Sequence, residues 1–168
     1  TKTETVDKID KNNIKDKIGQ GDNWEIISLG NVFPAVSQDN KKAYGVQEVI
    51  VETPNHSQEL HYLPDEQIKK LLYMYAKRTE AMTKIKDIDY ILCFKNQGSK
   101  AGASMTHAHS QVFATNLLPP DINEELCLAF EYKNKNKSCV YCDIIKKESG
   151  STRKVYEDNL MIAFAPYA

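Results

Sequence analysis

The segment Asn96-Gln-Gly-Ser-Lys-Ala-Gly-Ala-Ser-Met-Thr-His-Ala-His-Ser-Gln111 concentrates the reactive side chains of this chain. Read as a strand from about His107 to Thr115, it places His107, His109 and Gln111 on one face, at steps of about 6.6 Å. Two imidazoles and an amide in a row are costly to bury without partners. One reading of such a ridge is a surface-facing or hydrogen-bonded pair with no chemistry. The residues before it argue for chemistry. Gly98 and Gly102 free the backbone, Ser104 offers a hydroxyl, and Asn96 and Lys100 add donors. Successive N–H groups in such a loop can cradle phosphate oxygens. The loop is not a Walker A motif, because the Gly-Lys-Ser/Thr end is missing, and it is not GxGxxG after a strand. A phosphate loop running into a His-bearing strand suggests attack on phosphorus by a neutral imidazole. One ring nitrogen attacks while the other is held as N–H by an acceptor, often a backbone carbonyl. Catalysis would then rest on in-line positioning and on donors to the equatorial oxygens.

The remaining chemically loaded residues are four cysteines and two further histidines. Cys139-Val-Tyr-Cys142 can turn two thiolates toward one tetrahedral ion. The alternative is a redox pair, although no thioredoxin-like βαβ pattern surrounds it. Cys93 and Cys127 sit in apolar runs and read as small buried hydrophobes. His56 follows Thr53-Pro-Asn, where it could cap a turn. His61 reads as an ordinary surface residue.

These side chains need a scaffold, and the patterning supplies one. Trp24 to Leu29 reads as a strand, Asn31 to Val36 as a short extended piece in which Pro34 keeps Phe33 from helix, and Gly45 to Glu52 as a Val/Ile-rich strand. Pro64 opens a helix whose first turn holds Asp65 and Glu66. Its expected apolar face is Ile68, Leu71, Leu72, Tyr75, Thr79, Met82 and Ile85. Strands follow from Tyr90 to Lys95 and from His107 to Thr115, broken by Pro119-Pro120. A short helix is expected near Asn123 to Phe130, a Lys/Asn linker over Lys133 to Ser138, and two last strands at Val155 to Tyr156 and Asn159 to Phe164. The order predicts an α+β fold with a mostly antiparallel sheet and one long helix.

The chain has 168 residues, a formal net charge of −1, 41% hydrophobic and 27% charged residues. This is the composition of an ordinary globular protein. The balanced charge argues against gripping nucleic acid by bulk electrostatics. No window approaches a membrane span, and no signal peptide is visible, so a reducing cytoplasm is expected. Residues 1–21, rich in Lys, Asp, Asn and Thr, read as a solvated lead-in. The stretches DNWEIISLGNVFPAVS and RKVYEDNLMIAFAPYA resemble each other, with Pro34 matching Pro166. They predict a first unit over 22–132, then a linker and the beginning of a second such unit over 133–168. The second copy has Cys139 and Cys142 ahead of its strands. The first copy either lacks such a pair or has it before Thr1.

GASMTHAHSQ, with the Asn-x-Gly stretch before it, resembles the active-site motif of the galactose-1-phosphate uridylyltransferase family, part of the histidine-triad superfamily. GNVFPAVS resembles the family's Asn-containing nucleotide-binding strand, EVIVETPNHS its strand ending in a His, and CVYC and FAPYA the start of its second half. The resemblance covers about residues 22–168. It implies a histidine-triad-like fold and transfer of a nucleoside monophosphate between a nucleotide sugar and a sugar phosphate. His109 would carry the nucleotidyl group and Gln111 would bond its phosphoryl oxygens. Asn96, Gly98, Gly102 and Ser104 would serve the phosphates and Asn31 the nucleoside. His56 and His107 would be zinc ligands of one site, with Cys139 and Cys142 opening a second. The family pattern also implies a homodimer. The usual Arg before the Asn strand is replaced by Ile-Ile-Ser-Leu-Gly. FKNQG, AGAS and HSQ are close to the ADP-glucose phosphorylase-like branch, so the base and the sugar stay open. A phosphorylase or hydrolase of the same superfamily, or a zinc-stabilised binding module without catalysis, are the alternatives.

Overall fold

The computed structural model describes residues 11–20, 23–103 and 105–167. The chain divides into two compact units, the first ending at Leu117 and the second beginning at Leu118. The expected α+β class with a mostly antiparallel sheet is the one observed, but the short helix expected near Asn123 to Phe130 is a second long one, Pro120–Asn136.

The first unit is a five-stranded antiparallel sheet. Its strands are β1 (Ile14–Gln20), β2 (Asn23–Gly30), β3 (Gly45–Val51), β4 (Tyr90–Phe94) and β5 (His109–Thr115), in the spatial order β1-β2-β3-β5-β4. Helix α1 (Asp65–Thr83) covers one face. Strand alternation sends Ile26, Ile50, Val112 and Ala114 to that face, where they meet Leu71, Met74 and Met82. Each fully buried aliphatic or Met side chain contributes about 1.5–3 kcal/mol of transfer free energy.

Two features of the helix differ from expectation. Met74 is fully buried while Leu72 is 58% exposed. The apolar stripe therefore runs one position round from the one read off the periodicity. Pro64 lies just before the helix as its N-cap residue rather than in its first turn. Arg78, on the same side of α1, makes a paired contact with Glu48 on β3, Nε to Oε2 and Nη2 to Oε1, both at 2.8 Å. Ser28 on β2 adds a hydroxyl to Glu48 Oε2 at 2.8 Å. The Glu48 carboxylate is thus buried with its bonds made, which is the condition for tolerating a charge there.

Residues 14–20 are not a solvated lead-in. They form β1, which pairs antiparallel with β2 from Ile14 opposite Leu29 to Gln20 opposite Asn23. Asp16 accepts from Lys77 of α1 at 2.8 Å, tying the strand to the helix. The part of the expected lead-in over 1–10 lies outside the described residues.

The second unit holds α2 (Pro120–Asn136), α3 (Val140–Ser149) and a hairpin of β6 (Lys154–Glu157) with β7 (Ile162–Phe164). Here the boundary expected after residue 132 is corrected. Lys133 to Asn136 is not a linker but the last turn of α2, which ends where Lys137 takes a left-handed conformation. Asp143 of α3 accepts from Tyr132 at 2.9 Å and from Ser138 at 2.6 Å, closing the corner between the helices. The hairpin overlaps the two last strands expected at Val155 to Tyr156 and Asn159 to Phe164. Among the described residues no helix is long and apolar enough to cross a membrane.

Candidate functional site

The sheet face opposite α1 carries the reactive residues of β5. The β5 ladder begins at His109, opposite Val51, and runs through Gln111 opposite Val49 to Thr115 opposite Gly45. His109 and Gln111 therefore share a face as expected. His107 does not join them in the strand. It lies two residues before it, at the point where Glu52 N–H reaches the Ala108 carbonyl at 3.1 Å. Its ring turns instead to the Thr53-to-Ser57 turn.

His109 is 5% exposed, and its Nδ1 donates to the His107 carbonyl at 2.9 Å. A ring nitrogen bonded to a carbonyl must carry the hydrogen, which leaves the lone pair on Nε2. A cleft of about 440 Å³ adjoins it, lined by residues that include Asn96, Gly98, Met105, His107, His109 and Lys95. Two of the expected phosphate-loop residues, Asn96 and Gly98, thus meet the nucleophile candidate in one cavity. Gly98 and Gly102 flank a tight turn over Ser99–Ala101 with φ of 80° and 83°, a backbone that an L side chain enters only with strain. Among the described residues, chain neighbours aside, no atom lies within 4 Å of a Cβ built at either position, so it is the dihedrals that call for glycine there. Ser104 lies outside the described residues.

Gln111 accepts through Oε1 from the Gln47 amide at 2.6 Å. Asn31 is set beside the same group by its backbone, its N–H donating to the Gln47 carbonyl at 2.9 Å. Its side chain accepts from the Phe33 N–H at 2.9 Å and so shapes the following turn. Asn31 does not line the cleft with the loop.

Sequence reasoning missed Lys95. Its Nζ donates to Glu52 Oε2 at 3.0 Å and to the His109 carbonyl at 3.2 Å, and lies 3.6 Å from Glu59. Glu52 is fully buried and its Oε1 has no partner among the described residues. The signal was present: Glu48 and Glu52 interrupt a Val/Ile strand, and a buried carboxylate demands a cation.

His107 Nε2 donates to the Thr53 carbonyl at 2.7 Å, and its Nδ1 faces His56 Nδ1 at 2.9 Å with the rings edge to face. Burial pushes the His107 imidazole below its ordinary value, with the Thr53 carbonyl opposing the shift. The turn before it is capped by Thr53, whose hydroxyl accepts from the Asn55 N–H, and by Asn55, whose side chain accepts from the Ser57 N–H. A neutral imidazole anchored through its far N–H to a carbonyl is the arrangement of a zinc-binding histidine. The pair offers two donors where structural zinc takes four. Among the described residues no group of three or more His, Cys, Asp or Glu converges on one point.

In the second unit Cys139 precedes α3 and Cys142 lies in its first turn, both exposed. The Cys142 N–H and thiol hold the Cys139 thiol below its ordinary value, while Cys139 pushes that of Cys142 up. Cys127 is exposed on α2 rather than buried. Cys93 is half-buried, 3.6 Å from the Thr79 hydroxyl. His61 is exposed beside Tyr62.

Residues 10–119 match the family model described as galactose-1-phosphate uridyl transferase, N-terminal domain. The chain is 29% identical over 157 residues to the galactose-1-phosphate uridylyltransferase of Thermotoga maritima, covering 86% of this chain and 49% of that protein. It is 29% identical over 160 residues to the ADP-glucose phosphorylase of Arabidopsis thaliana, covering 87% of this chain and 44% of that one. The crystal structure of an ADP-glucose phosphorylase from Arabidopsis thaliana with bound ADP-glucose superposes with a TM-score of 0.80 at 27% identity. That match covers 92% of this chain and 51% of the other. The chain spans about half the length of the curated relatives it matches.

Proposed function

The chain belongs to the galactose-1-phosphate uridyl transferase family, and on that premise we propose that the cleft beside His109 is a nucleotidyl-transfer site. The observation that carries this reading is the bond from His109 Nδ1 to the His107 carbonyl, which leaves Nε2 as the nucleophile. In the first half-reaction Nε2 attacks the α-phosphorus of a nucleoside-diphosphate sugar. The N–P bond forms, the P–O bond toward the β-phosphate breaks, and sugar 1-phosphate leaves with the electron pair. In the second, an oxygen of an acceptor sugar 1-phosphate attacks phosphorus and the N–P bond breaks. Nδ1 keeps its hydrogen throughout, so the cationic ring of the intermediate stays bonded to the His107 carbonyl.

The chain's other residues position this chemistry. Gln111 presents amide hydrogens to the phosphoryl oxygens, and Asn96 and the Gly98–Gly102 loop receive the phosphates. Lys95 holds the His109 carbonyl and neutralises the buried Glu52 carboxylate beside the cleft. His56 with His107, and Cys139 with Cys142, are read as partial zinc sites that stabilise structure and enter no step of the transfer.

The leading reaction is exchange between UDP-glucose and galactose 1-phosphate. The equal identity to an ADP-glucose phosphorylase favours a second reading, in which ADP-glucose is the donor and inorganic phosphate the acceptor. One experiment separates them. The protein is incubated with UDP-glucose or ADP-glucose, and the products are followed by intact mass and peptide mapping. A uridylyl or adenylyl mass on His109 names the base, and its discharge by galactose 1-phosphate or by phosphate names the acceptor. No adduct with either nucleotide sugar would sink the covalent mechanism.

A further inference from the structure

Gln111 can stabilise a phosphoryl group only through its amide hydrogens, because its carbonyl oxygen would repel the phosphoryl oxygens. A glutamine amide can turn over, so something has to set its polarity. Gln47 sits on β3 opposite Phe113, one diagonal step from Gln111, which is opposite Val49. Residues in that relation lie within reach of long side chains on the same face. The Gln47 Oε1 accepts from the Ala35 N–H at 2.8 Å. The Gln47 Nε2 donates to Gln111 Oε1 at 2.6 Å.

These two bonds make a chain of enforced polarity. The Ala35 N–H can only donate, so it selects the oxygen of Gln47. The Gln47 amide must then turn its nitrogen toward Gln111, which must answer with its oxygen. Both N–H bonds of Gln111 are left for another acceptor on the face it shares with His109. The Gln47 backbone carbonyl also accepts from the Asn31 N–H at 2.9 Å, so the same residue seats the segment from Asn31 to Ala35.

We propose that Gln47 is a positioning residue that locks the Gln111 amide with its hydrogens toward the phosphoryl group, using the Ala35 backbone N–H as the fixed reference. This inference rests on the nucleotidyl-transfer reading of His109.

The test is the single-turnover rate of adduct formation on His109 with UDP-glucose and ADP-glucose. Gln47→Glu is nearly isosteric and still accepts from Ala35, but it requires a donor from Gln111 and so turns the amide over. The expected result is a loss of about 10- to 100-fold, the size of one hydrogen bond to a charged group. Gln47→Met removes the partner without inverting it and should cost less, about 3- to 10-fold. The decisive arm is the Gln111→Met background, where there is no amide to orient. There Gln47→Glu should change the rate by less than about twofold. Unchanged rates in both single variants, or the same fractional loss with and without Gln111, would overturn the proposal. The second of those outcomes is what a merely structural or purely electrostatic effect produces. A wild-type protein that forms no adduct overturns the underlying reading, and this inference with it.

Discussion

The Nδ1 hydrogen of His109 is bonded to the carbonyl oxygen of His107, two residues earlier, at 2.9 Å. The bond is local in sequence, yet it sets which nitrogen of a buried imidazole can react. His107, the first histidine of the pair, stands before the strand: its backbone serves His109 while its ring serves Thr53 and His56.

The first prediction concerns the position of attachment. The nucleotidyl group should sit on Nε2 of His109 and not on Nδ1. Protein with 15N-labelled histidine, trapped as the adduct, should show phosphorus coupling to Nε2 in long-range NMR spectra. Coupling to Nδ1 would mean that the His107 carbonyl does not set the reactive tautomer.

Lys95 and Glu52 give a stability prediction. Lys95→Met leaves a fully buried carboxylate without its cation and should destabilise the protein by about 3–5 kcal/mol in urea unfolding. Adding Glu52→Gln to that variant should recover a large part of the loss, because the unpaired charge is gone. Two losses that simply add would show that the ion pair is not what keeps Lys95 in place.

Tyr75 donates to the Ser110 hydroxyl at 2.7 Å, joining α1 to the residue between His109 and Gln111. Burial raises the Tyr75 phenol from 10.0 to about 12, against the lowering effect of Ser110. The folded protein therefore keeps this proton where the unfolded chain has lost it. The stability Tyr75 contributes is complete below pH 10 and is lost as the pH rises from about 10 to about 12. Wild type should exceed Tyr75→Phe by about 1 kcal/mol near pH 8, and that advantage should shrink above pH 10. An advantage that holds constant to pH 11 would contradict the assignment.

The proposed zinc role of His56 and His107 has its own test. Protein grown with zinc and dialysed should retain the metal, and His56→Ala should lower the zinc content measured by elemental analysis. Equal zinc in wild type and variant would remove His56 from the ligand set.

The local layer of this structure was legible in the residues. A run rich in Val and Ile marked β3, Pro64 with Asp65 and Glu66 marked the start of α1, and the spacing of His109 and Gln111 put both on one face. These features depend on alternation and on chemistry between near neighbours, which the order of residues states directly. The 133–136 segment escaped because a Lys/Asn run looks like a linker, whereas it closes the last turn of α2. The lead-in reading failed at β1 for a related reason: its polar residues hide an edge strand that takes its order from β2 and from the Asp16 contact with α1.

The family was thus legible in the sequence alone, and the segment from Asn96 to Gln111 already singled out His109 and the glycine-containing loop before it as candidates. Only the tertiary structure decided which stripe of α1 is buried, that His107 turns to a carbonyl 54 residues away, that Lys95 answers Glu52, and that Gln47 sets Gln111. A buried polar atom has to be satisfied by whatever group the fold brings to it. That group is chosen by strand order and register, which no local spacing encodes.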